Sequence, residues 1–217
     1  MKKINIIVLI SIVIALILSL SINVFWIYNY DYKKIDENIV FFGDSMIEIY
    51  DIEKFFPKNN VINSGISGNK TEDLIERIDK DVYIYNPSMV MILIGINDLN
   101  NEIDENDICL NMQKIISGIK ANRPNATIYV QSIYPINKDI IEENNYNYAN
   151  NFNNDNIKEL NNKIKEICKE SNVNYINVYD KLLDKEGNLK RTYTKEGLHL
   201  NNLGYIKVSS ILEEYIK

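Results

Sequence analysis

The sequence of 217 residues contains one histidine, His199, two cysteines, Cys109 and Cys168, and no basic cluster beyond two lysine pairs. The cysteines have neither CxxC nor any other metal-ligand spacing, which argues against a cysteine-based metal site. Each lies among apolar residues at helical spacing, which favours a small buried side chain, although a disulfide between the two stays open. The net charge of -6 and the lack of a basic face disfavour a nucleic-acid partner.

The N-terminal part of the chain contains an uncharged apolar run over residues 4–27. About 20 such residues are enough to cross a bilayer as a helix, so the run predicts a transmembrane helix. The run continues past the small-residue site Ser19-Leu20-Ser21, which favours an uncleaved anchor over a signal peptide, and it lacks the polar face of a core helix. We therefore predict an anchor or signal segment at 1–29, a tether at 30–37 and a catalytic domain at 38–217. The domain is expected outside the cytoplasmic membrane, anchored through residues 4–27, or secreted if the segment is cleaved.

After this segment, short apolar runs alternate with longer amphipathic patterns. Strands are predicted over residues 38–43, 61–63, 89–95, 127–133 and 174–179, and helices over 71–83, 105–122, 154–171 and 202–217. The strands are apolar throughout rather than alternating, as in sheets that are covered on both faces. The pattern predicts an α/β fold with a five-stranded parallel sheet and helices on both faces. The Asn-rich residues 137–156 are predicted to form one long irregular connection.

Ligands of such sheets bind at the carboxyl ends of the strands, where this chain has several polar residues. Ser45 follows the first strand at the expected start of a helix, a position that suits a nucleophile beside an oxyanion site. Asp and Ser are also favoured N-caps, and on the triplet Gly43-Asp44-Ser45 alone the cap is the better interpretation. Gly65 and Gly68 follow the second strand and indicate a sharp turn or a close approach to a ligand.

The third strand ends before Asn97, whose side-chain amide can donate a hydrogen bond without carrying charge. An Asx turn explains Asn97 and Asp98 equally well when this loop is taken alone. His199 supplies what a serine nucleophile needs, namely a general base that is neutral near pH 7. A base of this kind needs a carboxylate to fix its tautomer, and Glu196, three residues earlier, is the nearest one.

The blocks "GDS", "NSGISGNKT", "GIND" and "EGLH" together resemble the four sequence blocks of the SGNH (GDSL-type) esterases and lipases. The resemblance covers residues 38–216 and is strongest to the branch with platelet-activating-factor acetylhydrolase-like and carbohydrate O-acetylesterase-like proteins. It implies a flavodoxin-like three-layer α/β/α sandwich. It also implies that Ser45 is the nucleophile, that His199 is the general base and acid, and that the N–H groups of Ser45 and Gly68 form an oxyanion hole with the Asn97 side chain.

One position departs from the family pattern, which usually has Asp three residues before the histidine, whereas this chain has Glu196. Glutamate serves as the triad acid in other hydrolases, so a Ser-His-Glu triad is chemically possible. Its extra methylene changes the angle of approach to His199, and Asp180 and Asp184 are the substitutes if Glu196 cannot reach.

The sequence therefore predicts a serine esterase that hydrolyses short acyl esters, with acetyl the favoured group, through an acyl-serine intermediate. No metal or organic cofactor is expected, and the substrate is a small-molecule, glycan or lipid ester. The alternatives are a lipase or lysophospholipase activity, an O-acyltransferase with a glycan acceptor, and an inactive membrane-anchored binding module. The oligomeric state is not predicted.

Overall fold

A computed structural model of the chain describes residues 12–24, 38–145, 151 and 153–216. Within these residues five strands form one parallel sheet. The strands are β1 (Asn38–Gly43), β2 (Asn60–Gly65), β3 (Met89–Leu93), β4 (Thr127–Gln131) and β5 (Asn174–Ile176). The predicted α/β fold with a five-stranded parallel sheet is therefore confirmed.

Ten helices are described, of which the first, α1, precedes the sheet and is exposed, and the others lie between or after the strands. They are α1 (residues 12–24), α2 (Ser45–Glu48), α3 (Ile52–Phe55), α4 (Thr71–Asp81), α5 (Ile96–Asn100), α6 (Glu105–Asn122), α7 (Lys138–Glu143), α8 (Asn154–Glu170), α9 (Tyr179–Leu182) and α10 (Asn202–Leu212). Short 3₁₀ turns occur at Tyr83–Tyr85 and Arg191–Tyr193. The four helices predicted from apolar periodicity correspond to α4, α6, α8 and α10, which confirms those predictions.

The strand order is β2-β1-β3-β4-β5, which is the order of flavodoxin-like doubly wound sheets. With right-handed crossovers, connections that run one way along the sheet lie on one face, and those that run the other way lie on the opposite face. Helices α4, α6 and α8 belong to one face of the sheet, where α4 contacts α6 and α6 contacts α8. Helices α2 and α10 are in contact, because the Tyr205 hydroxyl of α10 donates to the Met46 carbonyl of α2 at 2.8 Å, and the Tyr205 ring stacks on Tyr50, just after α2, with ring centroids 4.6 Å apart.

The central strands of the sheet are apolar throughout, and both of their faces are covered. Val40, Phe41 and Phe42 of β1 and Val90 and Met91 of β3 are completely buried. Burial of an aliphatic or aromatic side chain stabilises a fold by about 1.5–3 kcal/mol, so these unbroken apolar runs fix β1 and β3 at the centre of the sheet.

The connection at residues 137–156 differs from its prediction as one irregular loop. Residues 138–143 form α7, and Asn137 caps it by accepting a hydrogen bond from the Ile140 N–H at 3.0 Å. Ile140 and Ile141 are buried, so this short helix is held by packing as well as by its cap. Residues 146–150 and 152 lie outside the described residues.

The predicted membrane-spanning helix is corrected by the structure. In the part of the chain that the structure describes, no helix is long and apolar enough to cross a membrane. The prediction of a single-pass membrane protein with an extracytoplasmic domain was therefore wrong. Residues 4–11 and 25–27 of the predicted span, and the tether at 30–37, lie outside the described residues.

The two cysteines are free thiols. Cys168 is buried on α8 and Cys109 is half-buried on α6. The structure thus agrees with the interpretation as small apolar side chains rather than as a disulfide.

Candidate active site

The candidate site lies where the direction of the sheet connections reverses. Strands β1 and β3 are neighbours, but the chain leaves β1 toward β2 and leaves β3 toward β4. The loops after these two strands therefore diverge and leave a crevice at the carboxyl ends of the strands. The loop after β1 contains Asp44 and Ser45, and the loop after β3 leads to Asn97 and Asp98.

Ser45 is the first residue of α2 and is positioned by its neighbour Asp44. The Asp44 carboxylate caps the helix by accepting a hydrogen bond from the Met46 N–H at 2.9 Å. The cap predicted from the Gly-Asp-Ser triplet is therefore present, and Asp44 supplies it. Because Asp44 supplies the cap, the Ser45 side chain can contact another residue. The Ser45 N–H lies in the first turn of α2, where backbone N–H groups have no acceptor within the helix.

His199 contacts Ser45 although 154 residues separate them. The Ser45 Oγ lies 2.9 Å from the His199 Nε2. The His199 Nδ1 lies 2.8 Å from the Glu196 Oε1. Because a carboxylate only accepts hydrogen bonds, Nδ1 carries the hydrogen and Nε2 presents its lone pair to the serine hydroxyl. The three side chains predicted to act together thus lie in one hydrogen-bonded line.

The turn that carries Glu196 and His199 is held by backbone hydrogen bonds. The Glu196 carboxylate accepts from the Leu198 N–H at 3.0 Å and from the His199 N–H, in addition to the imidazole. Thr194 closes the same turn: its hydroxyl donates to the His199 carbonyl at 2.8 Å and accepts from the Gly197 N–H at 2.9 Å. The longer side chain of glutamate therefore folds back over its own turn to reach the ring.

The alternative acids of the sequence analysis lie elsewhere. The Asp180 carboxylate accepts from the Asn177 side chain at 2.6 Å. The Asp184 carboxylate accepts from the backbone N–H groups of Glu186 and Asn188 at 3.0 and 2.9 Å, and so closes a turn. No contact between either carboxylate and His199 occurs among the described residues.

The loop after β2 carries Gly68, which is exposed and has a φ of +81°. An added Cβ would meet nothing within 4 Å, so the requirement for glycine here comes from the backbone angle and not from crowding. Its N–H makes no hydrogen bond to the described residues. At Gly65 crowding is what requires glycine, because an added Cβ would lie 2.2 Å from the backbone N of Glu48. Gly65 therefore packs closely against α2 and not against a ligand.

Asn97 lies beside the Gly68 loop. Its side-chain nitrogen donates to the carbonyl of Asn69, the residue after Gly68, at 2.9 Å. An amide nitrogen has two hydrogens, so one stays available for another acceptor. The loop is also tied to α2, because the Ser67 N–H donates to the Glu48 carboxylate at 3.0 Å.

Arg77 on α4 is a positioning residue that the sequence analysis missed. Its guanidinium donates to the Gly43 carbonyl at 2.8 Å and to the Ser64 carbonyl at 3.0 Å, which joins the ends of β1 and β2. It also donates to the Asn69 side chain at 2.6 Å. One signal was present in the sequence: Arg77 stands beside Ile78 and three residues after Leu74, on the apolar face of an amphipathic helix.

Two buried carboxyl groups, those of Asp44 and Asp98, lie next to the site residues Ser45 and Asn97. Burial raises the pKa of Asp44 from its ordinary value of 3.8 to about 7, opposed by the Met46 N–H and the nearby His199. Burial also raises the pKa of Asp98, opposed by hydrogen bonds from the Thr71 hydroxyl and N–H at 2.6 and 3.1 Å. Asp98 thereby joins the end of β3 to the start of α4. The Asx turn considered for this loop is replaced by a long-range contact.

Comparison with known proteins identifies the family. Residues 41–206 match the model of the GDSL-like lipase/acylhydrolase family. The chain belongs to this family. The match covers the loops after β1, β2 and β3 and the turn of His199, which are the four blocks recognised in the sequence.

Several solved structures resemble this chain. A platelet activating factor-like protein from Streptococcus pneumoniae has a TM-score of 0.77 and 28% identity, over 91% of this chain and 99% of that one. A GDSL-like lipase from Bacteroides thetaiotaomicron has a TM-score of 0.73 and 25% identity, over 85% of this chain and 89% of that one.

Two characterised relatives match parts of their own length. An N-acylneuraminate cytidylyltransferase of Escherichia coli O18:K1:H7 is 26% identical over 182 residues, which are 83% of this chain but 40% of that protein. An acetylxylan esterase of Geobacillus stearothermophilus is 48% identical over 44 residues, 20% of each chain. The activities in these names belong to those proteins.

A cleft of about 500 Å³ adjoins His199 of this GDSL-like protein. We call it the histidine cleft, and it is lined by Ile49 together with residues 195, 196 and 199–203. In the described part of the chain no group of three or more His, Cys, Asp and Glu side chains could hold a metal ion. The absence of a cofactor stays an expectation.

Proposed function

We propose that this protein is a serine esterase that removes short acyl groups, above all acetyl groups, from hydroxyls of carbohydrates. The observation that carries the proposal is the line of Ser45, His199 and Glu196, with contacts of 2.9 and 2.8 Å. Such a line turns a weak serine nucleophile into an active one, because the imidazole takes the proton as the hydroxyl attacks.

The reaction begins when the Ser45 Oγ attacks the ester carbonyl carbon and its proton passes to the His199 Nε2. The carbonyl oxygen becomes an oxyanion, which the N–H groups of Ser45 and Gly68 and the second amide hydrogen of Asn97 stabilise. His199 then gives the proton to the leaving alcohol oxygen as its bond to carbon breaks, which leaves an acyl-serine. Water attacks the acyl-serine, loses its proton to His199, and the acid departs as Ser45 regains its hydrogen.

Glu196 holds the imidazole in the required tautomer and stabilises the imidazolium that forms in each half-reaction. Its fixed position, with two backbone N–H donors on the carboxylate, supports this role. The preference for acetyl esters of carbohydrates is supported by the acetylxylan esterase similarity at the sequence level. An acetyl xylan esterase at 20% identity, with a TM-score of 0.68, shares the fold.

The test is hydrolysis of p-nitrophenyl acetate, butyrate and octanoate by the full chain and by Ser45→Ala. We expect turnover that is highest with acetate and at least about 10³-fold lower in Ser45→Ala, because the covalent step is lost. Ser210→Ala is the matched control, since Ser210 is exposed on α10 and its hydroxyl donates only to the Lys207 carbonyl.

Three outcomes would change the proposal. Wild-type turnover in Ser45→Ala would exclude the acyl-serine route. A preference for octanoate would replace the acetylesterase by a lipase-type activity. Transfer of the acyl group to an added sugar faster than to water would replace the hydrolase by an O-acyltransferase.

A further inference from the structure

We infer that the histidine cleft binds the alcohol part of the ester, and that Leu203, Ile49 and Lys195 decide which alcohols are accepted. The inference rests on the proposed function, because it assigns a subsite to the reaction at Ser45. It concerns the side chains that line the cleft beside Glu196 and His199.

The cleft lies between two helices that meet at the catalytic residues. Ile49 follows α2 one turn after Ser45, and its N–H donates to the Ser45 carbonyl at 3.0 Å. Leu203 lies in the first turn of α10, just after the turn of His199. Each wall is therefore close along the chain to one of the catalytic residues, Ile49 to the nucleophile and Leu203 to the base.

The direction of the reaction assigns the cleft to the alcohol and not to the acyl group. The leaving oxygen must lie within hydrogen-bond distance of the His199 Nε2 to receive its proton, so the alcohol extends along the histidine. The oxyanion donors Gly68 and Asn97 follow β2 and β3, and neither residue lines the cleft. A group bound in the cleft is therefore on the histidine side of the reacting carbon.

The lining of the cleft combines apolar faces with polar side-chain ends. Ile49 and Leu203 are 51% and 55% exposed, so both present apolar surface to the cleft. In the described part of the chain, the side chains of Lys195 and Asn202 make no hydrogen bond or ion pair. A sugar ring presents C–H faces and hydroxyls together, so it fits such a lining better than an acyl chain does.

The volume agrees with this assignment. Small-molecule pockets commonly measure about 300–1,000 Å³, and the cleft has about 500 Å³. An alcohol as small as ethanol fills only a small part of this volume, so it can make few contacts with the cleft lining. The discrimination between a sugar ester and an ethyl ester therefore measures occupancy of the cleft.

The experiment measures kcat/KM of the full chain for two pairs of esters. The alcohol pair is a mono-O-acetyl methyl xyloside against ethyl acetate, and the acyl pair is ethyl butyrate against ethyl acetate. We expect Leu203→Ala to lower the alcohol ratio about tenfold through lost apolar contact, and Lys195→Gln to lower it about threefold through a lost donor. The acyl ratio should keep its wild-type value in both variants.

Two control variants match the tested ones. Ile206→Ala changes another aliphatic residue of α10 that is 46% exposed and does not line the cleft. Lys185→Gln removes an exposed lysine elsewhere. Both controls should keep the wild-type alcohol ratio. Because each ratio compares two substrates of the same preparation, partial loss of folded protein does not change it.

The outcomes separate the two proposals. Hydrolysis that depends on Ser45, with an alcohol ratio that Leu203→Ala and Lys195→Gln leave unchanged, overturns the cleft assignment alone. A shift of the acyl ratio in Leu203→Ala overturns it in favour of an acyl pocket. Absence of Ser45-dependent hydrolysis of every ester overturns the proposed function as well.

Discussion

Replacement of Glu196 by glutamine tests the least usual member of the site. Within the described residues three donors reach the carboxylate: Oε1 accepts from the His199 Nδ1 at 2.8 Å and from the His199 N–H, and Oε2 accepts from the Leu198 N–H at 3.0 Å. An amide has one oxygen, so either orientation of the substituted glutamine side chain turns an NH₂ group toward at least one N–H donor. If NH₂ faces the ring, Nδ1 accepts and Nε2 carries the hydrogen, which is the wrong tautomer for a base. We expect kcat for p-nitrophenyl acetate to fall by about 10³–10⁴-fold in Glu196→Gln.

Glu196→Asp keeps the charge but shortens the side chain by one carbon–carbon bond, about 1.5 Å. From a contact of 2.8 Å, the carboxylate would retreat to about 4 Å from Nδ1, beyond hydrogen-bond distance. The backbone N–H groups of Leu198 and His199 stay within reach of the shorter acid, as in an Asx turn. We expect a loss of about 10²-fold, the cost of a misplacement on this scale. The order of kcat should be wild type, then the aspartate variant, then the glutamine variant.

The assay is steady-state hydrolysis with saturating p-nitrophenyl acetate, and thermal unfolding checks that each variant is folded. Asp180→Asn and Asp184→Asn are the controls, because their carboxylates contact other groups, and both should keep the wild-type kcat. A folded Glu196→Gln protein with wild-type kcat would refute the role of Glu196. A Glu196→Asp protein as active as the wild type would refute the argument that this turn is built for the length of glutamate.

Much of the site could be predicted because it follows from topology. Parallel strands bring their carboxyl ends to one edge, so Ser45, Asn97 and the loop of Gly68 had to lie near one another once the strands were recognised. The contact between Ser45 and His199 could not follow from spacing, since 154 residues separate them. It followed from the chemistry that a serine nucleophile requires and from the resemblance to a family.

The supporting contacts were harder to predict. Arg77 looks like an ordinary polar residue of an amphipathic helix, yet its side chain is 12% exposed and bonds to backbone carbonyls at the ends of β1 and β2. Asp98 looks like a turn residue, yet it bonds to Thr71, 27 residues away. Local sequence rules assign such residues to caps, turns or solvent because the partner is on another element.

The error at the N-terminus has a different physical origin. Hydropathy measures the preference of side chains for an apolar environment, and residues 4–27 have that preference throughout. A membrane span also requires one continuous helix of sufficient length. In the part of the chain that the structure describes, no helix meets both conditions.

Three further predictions concern residues around the triad. Asn97→Ala should lower kcat by about 10²–10³-fold with little change in KM, because one oxyanion donor is lost; an unchanged kcat in a steady-state assay would remove Asn97 from the oxyanion hole. Arg77→Lys should lower the free energy of unfolding by about 2–3 kcal/mol in urea titrations, since one ammonium cannot replace the planar fork that bonds to two carbonyls, and wild-type stability would contradict this. Asp44→Asn should change how stability depends on pH. Burial raises the pKa of Asp44 to about 7 from 3.8, so the folded state holds this proton more tightly than the unfolded chain. The resulting stabilisation is complete below about pH 4 and is lost as the pH rises through about 7. The asparagine amide can still cap the Met46 N–H but cannot ionise, so Asp44→Asn should lose less stability than the wild type between about pH 4 and pH 7.5. Equal losses in urea titrations at the two pH values would show that Asp44 is already ionised in the folded protein at the lower pH.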